Sequence, residues 1–214
     1  MDEVVITEEM ISDERIDKLQ HLVARRQNLT VILENVHDPH NIGAVLRSCD
    51  AVGISEIFIV YTDSCFNLLH QKVGRNASSG AQKWVQVHYF GDLKACINEV
   101  RSRYELILGT HLSENSKSLF ELDLTKPVAL MFGNEKDGLS EEALAVLDGN
   151  YIIPQYGMVQ SLNISVACAV SLFEAARQRT AKGMYNVIYD SGNSEHKQMF
   201  DYYLNRHFEF IRSK

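Results

Sequence analysis

Ile153-Pro-Gln-Tyr-Gly-Met-Val-Gln-Ser-Leu-Asn-Ile-Ser-Val-Ala167 reads as a short apolar strand, a glycine-containing loop and the polar opening of a helix. Asn163 suits an N-cap, because its side-chain oxygen can accept one of the N–H groups that a helix predicted over 164–182 leaves without a partner. The loop before it offers backbone N–H and C=O groups to whatever fills the adjoining cleft, and Ser161 and Asn163 stand where a ligand would meet them. On local chemistry alone, a plain strand-loop-helix connection and a ligand site fit the segment equally well.

Working outward, strands alternate with helices. Strands are predicted over 29–33, 56–60, 84–87, 106–108, 128–132 and 151–153, with helices over 42–52, 93–102 and 141–147 between them. The strand-length runs are apolar throughout rather than alternating, which is the signature of a parallel sheet covered on both faces. The fold class is therefore α/β, and in such sheets ligands sit beyond the carboxyl ends of the strands. The stretch 62–82 has the least periodicity and reads as a long surface connection. Ahead of the core, an amphipathic helix is predicted over 13–26, capped by Ser12, with Ile16, Leu19, Leu22 and Val23 on one face. A final helix over 195–211 carries Met199, Phe200, Tyr203, Leu204, His207 and Phe208 on one side, an aromatic stripe that needs either its own domain or a second subunit to cover it. The chain thus divides into a helical extension over 1–28, an α/β domain over 29–183 and a second helical extension over 184–214.

Composition narrows the class. With 214 residues and 45% hydrophobic content, the chain can bury one substantial core. Its four cysteines, Cys49, Cys65, Cys96 and Cys168, lie far apart without C-x-x-C pairing or an adjacent histidine cluster. They are expected to be reduced and mostly buried, and no metal site is expected. The N-terminus lacks a basic stretch followed by an apolar one, and no apolar run approaches membrane-spanning length, so a cytoplasmic location is expected. A formal net charge of −7 argues against holding nucleic acid by bulk electrostatics. Local basic pairs remain: Arg25 with Arg26, Lys72 with Arg75, Arg101 with Arg103, and Arg177 with Arg179.

Two more polar clusters follow predicted strands. Glu34-Asn-Val-His-Asp-Pro-His-Asn-Ile-Gly-Ala-Val-Leu-Arg-Ser-Cys-Asp50 turns at Asp38-Pro39 and enters a helix with Asn41 as its expected cap. Arg47 lies inside that helix, where it can pair with Asp50 one turn on or serve a site. Phe132-Gly-Asn-Glu-Lys-Asp-Gly-Leu-Ser140 ends a strand and leads to a helix capped by Ser140. It is not a phosphate loop, since Gly138 is followed by Leu139, and it lacks the ligand spacing of a calcium loop.

Taken together, the three clusters resemble the ordered motifs of the SpoU/TrmH family of RNA 2′-O-methyltransferases. The resemblance runs from about Arg25 to Lys182 and includes the segment Ser79-Gly-Ala-Gln-Lys-Trp-Val85. The chain is most similar to the subgroup acting on guanosine 18 of tRNA. Two features depart from that subgroup's pattern: the N-terminal arm is acidic, and Asp38 stands where lysine is common.

The resemblance implies a deep trefoil α/β knot with 153–182 as the threaded segment, an S-adenosylmethionine cofactor, a tRNA substrate and a homodimer. It implies catalytic roles for Arg47, Asn41, Glu135, Ser161 and Asn163. It places the cofactor near Thr110, Gly133, Ile153, Met158 and Leu162, and RNA near Arg25, Arg26, His40, Arg177 and Arg179. Methylation of another tRNA position or of rRNA, or a non-catalytic RNA-binding relative, are the alternatives. A guanidinium is a poor base, so Arg47 is expected to stabilise a developing alkoxide rather than to remove its proton.

Overall fold

A computed structural model describes residues 11–62, 80–159 and 161–212. The chain divides into two compact units, one of residues Gln27–Gly183 and one of Met1–Arg26 together with Met184–Lys214.

The larger unit is built on a parallel sheet of seven strands in the order β3-β2-β1-β6-β4-β7-β5. The strands are β1 (Leu29–Glu34), β2 (Glu56–Val60), β3 (Gln86–Phe90), β4 (Leu106–Thr110), β5 (Lys117–Ser118), β6 (Val128–Phe132) and β7 (Gly149–Ile152). Central β1 and β6 are buried at every position, as all-apolar runs require, whereas edge strand β3 is only half-covered. Alternate residues feed two cores. Leu29, Val31 and Leu33 of β1 join Val128, Leu130 and Phe132 of β6 on one face, and Ile32, Ala129 and Met131 face the other.

Helices α2 (Pro39–Ala51) and α5 (Ile164–Ala181) give the first core Ile42, Val45, Leu46 and Cys49, and Ile164, Cys168, Leu172 and Ala175. Helices α3 (Leu93–Arg101) and α4 (Glu141–Leu144) cover the opposite face with Leu93, Cys96, Ile97, Val100 and Ala143. Cys49, Cys96 and Cys168 are buried and in no disulfide among the described residues; Cys65 lies outside the described residues, as do Lys72, Arg75 and most of 62–82.

Several boundaries differ from the sequence expectation. α2 begins at Pro39, because the Asp38 carboxylate accepts from His40 N at 2.8 Å and proline fits the first helical position, where no N–H is needed. Asn41 is therefore not the cap and its amide is available elsewhere. The strand expected at 84–87 begins at Gln86, since Gly80, at φ 88°, opens a 3-10 turn over Ala81–Lys83 that Trp84 N closes. The two-residue strand β5 was too short to leave a periodic signal.

In the smaller unit, α1 (Asp13–Ala24) packs against α6 (Ser194–Arg212). Ser12 precedes α1 without a side-chain capping bond. Leu19, Val23, Phe200 and Tyr203 are buried, and the Arg26 guanidinium lies 5.0 Å from the centre of the Tyr203 ring. No described helix is long and apolar enough to cross a membrane.

Candidate active site

The carboxyl ends of β1, β6, β4 and β7 open on the same side of the sheet, and the three polar clusters meet there. β1 ends at Glu34, a carboxylate only 1% exposed, which accepts Ser140 N at 2.9 Å and Ser140 Oγ at 2.6 Å. Ser140 caps α4 by accepting Ala143 N at 3.1 Å. Glu34 thus ties the exit of β1 to the far end of the loop that leaves its neighbour β6. Sequence reading missed this residue, because its partner lies 106 positions away. An acidic side chain closing an otherwise apolar strand was the available signal.

The β6 loop is itself tightly built. Asn134 Oδ1 accepts from Lys136 N at 2.9 Å and from Asp137 N at 2.7 Å, and Gly138 N returns to Asn134 O at 3.1 Å. A Cβ on Gly133 would stand 2.0 Å from the Gly138 carbonyl, so this position must be glycine for the knuckle to close. Glu135 is exposed at its tip.

There Asn41 Nδ2 donates to Glu135 Oε1 at 2.5 Å, and Asn163 Nδ2 donates to Asn41 Oδ1 at 3.2 Å. Asn163 caps α5, its Oδ1 accepting Ser165 N at 2.9 Å. Residues up to 122 positions apart in sequence therefore form one contiguous polar chain. Arg47 does not join it. It lies about 120° around α2 from Asn41 and nearly two turns along it on an ideal helix, is exposed, and makes no hydrogen bond or ion pair among the described residues.

Beside this chain, a cleft of about 700 Å³ is lined by residues that include Thr110, Tyr151, Ile153, Ser161, Leu162 and Ala167. Its size suits a ligand of nucleoside dimensions. Burial pushes the Tyr151 hydroxyl far above its ordinary range, and it donates to Ser171 Oγ at 3.1 Å, so this wall is neutral. Of the five residues expected around a cofactor, Thr110, Ile153 and Leu162 line the cleft. Gly133 shapes the β6 loop instead, and Met158 is 99% exposed on the loop that borders the cleft.

The expected RNA contacts separate sharply. Arg25 and His40 are exposed, and Arg177 is exposed but holds Glu174 through two bonds, Nε at 2.9 Å and Nη2 at 2.8 Å. Arg26 is engaged with Tyr203. Arg179 corrects the expectation: it is fully buried, and its guanidinium donates to the carbonyls of Leu124, Asn28 and Lys126 and to Gln27 Oε1. A side chain with every direction spent inside the protein has nothing to offer a phosphate.

Comparison with known proteins bears directly on this site. The SpoU rRNA methylase family profile matches residues 28–173. The tRNA (guanosine(18)-2′-O)-methyltransferase of Thermus thermophilus is 44% identical over 176 residues, spanning 82% of this chain and 88% of that protein. Among solved structures, the Aquifex aeolicus TrmH/SpoU tRNA modifying enzyme superposes with a TM-score of 0.78 at 34% identity, covering 90% of this chain and 96% of that one. The SpoU methyltransferase AviRb of Streptomyces viridochromogenes, solved with AdoMet, gives 0.64 at 28% identity over 77% of this chain and 66% of its own.

Proposed function

This chain belongs to the SpoU rRNA methylase family, and from that premise we propose that it methylates the ribose 2′-hydroxyl of guanosine 18 in tRNA, with S-adenosylmethionine as methyl donor. The observation that carries this reading is the convergence of Asn41, Glu135 and Asn163 beside the cleft at the carboxyl ends of the central strands.

The residues present fit the cofactor. Ile153, Leu162 and Ala167 supply apolar walls for an adenine, while Thr110 and Ser161 supply hydroxyls. When bound, the cofactor offers an electrophilic methyl on a cationic sulfonium. The cleft contributes by excluding water, since the transfer neutralises opposite charges and is favoured in a dry pocket. Asn41, Glu135 and Asn163 orient the attacking hydroxyl, with Ser161 at the cleft wall. Arg47, its charge uncommitted among the described residues, stabilises the developing alkoxide, and the hydroxyl proton passes to a phosphate oxygen of the bound RNA. Arg25, His40 and Arg177 serve as phosphate contacts, which add affinity and not base specificity.

We further propose that the active form is a homodimer. Val166 and Phe173, 47% and 56% exposed and seven residues apart on α5, form an uncovered apolar stripe, with Tyr156, Met158 and Val159 exposed on the loop before it. This relocates the expected contact. Of the α6 aromatics, for which the sequence leaves either the same chain or a second subunit as cover, Phe200 and Tyr203 are already buried within one chain. The family relationship also supports threading of 153–182 through a trefoil knot, 29–183 as the catalytic domain and a cytoplasmic site of action. Light scattering should give twice the 24.3 kDa chain mass.

The activity test is incubation with labelled cofactor and undermethylated total tRNA, followed by nucleoside mapping. Label in 2′-O-methylguanosine at position 18 is expected. Label found only in rRNA, or in a base rather than a ribose, would overturn the proposal.

A further inference from the structure

The chain of amides at the site has a fixed direction, and its origin is the first turn of α5. Asn163 Oδ1 accepts both Ser165 N at 2.9 Å and Ser165 Oγ at 2.6 Å. A backbone N–H can only donate, so the oxygen of Asn163 must face it. Turning the amide over would lose the main-chain bond and set an NH2 group against an N–H, while the Ser165 hydroxyl, able to donate or accept, follows whichever atom faces it. With Oδ1 committed, Nδ2 is presented to Asn41, whose own Oδ1 receives it at 3.2 Å. Asn41 must then present Nδ2 to Glu135, and does so at 2.5 Å.

We infer that Ser165 and Asn163 are positioning residues that polarise a one-way relay through Asn41, holding Glu135 as a hydrogen-bond acceptor towards the ribose hydroxyl. This deepens the methyltransferase reading and rests on it. Glu135 Oε1 is engaged by Asn41, which leaves Oε2 to accept from the hydroxyl that is to be methylated. A donor at that place would instead occupy the oxygen lone pair needed for attack. The direction is set by Ser165 N, which can only donate, and the hydroxyl of Ser165 adds a second bond to the oxygen so placed.

The relay makes opposite predictions for near-isosteric exchanges. Asn163→Asp keeps an oxygen for Ser165, and so keeps the helix cap, but replaces the donor to Asn41 with an acceptor. Its kcat should fall about tenfold or more while Tm and cofactor Kd stay close to wild type, a split that loss of a merely structural contact would not give. Asn41→Asp sets a carboxylate against Glu135 and should lower kcat about 100-fold. Combining Asn41→Asp with Glu135→Gln restores a matched pair, because the new amide NH2 donates to the carboxylate introduced opposite it while the amide oxygen still faces the hydroxyl. The double variant should recover at least about tenfold over Asn41→Asp alone, a coupling that only directly interacting groups give.

All variants are assayed as full-length protein with tRNA transcript and labelled cofactor. With an active wild type, a double variant no better than Asn41→Asp, or an Asn163→Asp protein with unchanged kcat, overturns the relay. Should Asn41→Asp fail to fold, the Asn163→Asp result decides alone. A wild type that does not methylate tRNA refutes the function proposed above rather than the relay. In that case the relay is judged on hydrogen exchange of the Asn163 side-chain amide, which should be slowed in wild type and released by Asn41→Ala; equal exchange in both would refute it.

Discussion

The two ends of the central strands β1 and β6 both carry dense polar networks, and burial makes them do opposite work. At the amino ends, Arg179 is fully buried and spends its guanidinium on three main-chain carbonyls and Gln27. One of those carbonyls, that of Asn28, also accepts Val128 N at 3.2 Å, so the arginine fastens the start of β1 to the start of β6. At the carboxyl ends, Asn41, Glu135 and Asn163 reach towards solvent and retain unused hydrogen-bonding capacity. A buried polar group must be satisfied by the protein itself and then has nothing left for a ligand, whereas an exposed one, held in place by its neighbours, can exchange water for substrate. Arg177 and Arg179, two residues apart on α5, make the same point: one is on the surface and the other is scaffold.

The comparison breaks most decisively at the cleft. Leu162→Arg would overfill the cleft proposed for the cofactor and place a charge in it, so cofactor binding should fall below detection by calorimetry. Retained affinity would mean that the cleft at the carboxyl ends is not the cofactor site. Next in size is Arg47→Ala, which should reduce kcat about 10²- to 10³-fold while cofactor Kd changes little, because its contact forms mainly in the transition state. A matching loss of cofactor binding with unchanged turnover would make it a ligand-binding residue.

At the other end, Arg179→Ala should cost about 3 kcal/mol of stability, read as a lowered denaturation midpoint, because it strands carbonyls that water cannot reach. The salt dependence of RNA binding should not change. A stable Arg179→Ala protein with a flatter salt slope would erase the distinction between the two ends. The smallest effect belongs to Arg177→Ala, which should weaken RNA binding modestly and reduce the salt slope by about one released counterion, with a drop in the denaturation midpoint well short of that for Arg179→Ala. Glu174, the partner of Arg177, is buried, but its carboxylate keeps the amide of Gln178 at 2.8 Å, so the loss of the exposed guanidinium costs less than stranding the carbonyls held by Arg179.

Much of this architecture was legible in the chain. The all-apolar runs at 29–33 and 128–132 declared a parallel sheet buried on both faces, and both strands are buried throughout. Three polar clusters, each placed after a strand, were legible as neighbours, since a parallel sheet opens all its strand ends on one side, and Asn41, Glu135 and Asn163 do meet there. Asn163 was legible as the cap of α5, and Ser140 as that of α4, because capping is settled by the residue itself and the next turn of backbone. The cap of α2 was misplaced by three residues because both Asp38 and Asn41 are good caps, and only the backbone path through Pro39 chose between them.

Sequence alone determined most of what is governed by contacts within a turn or two: the order of the longer elements, their buried faces, the caps of α4 and α5 and the composition of the loops. Tertiary structure decided the rest. The bond from Glu34 to Ser140 spans 106 residues, that from Asn163 to Asn41 spans 122, and that from Arg179 to Gln27 spans 152. No local pattern encodes such pairings, because a side chain's environment across the sheet depends on which strands become neighbours. Arg177 and Arg179 look alike in the sequence. Only the fold, by turning one face of α5 inward, removes water from the second and commits it to the scaffold.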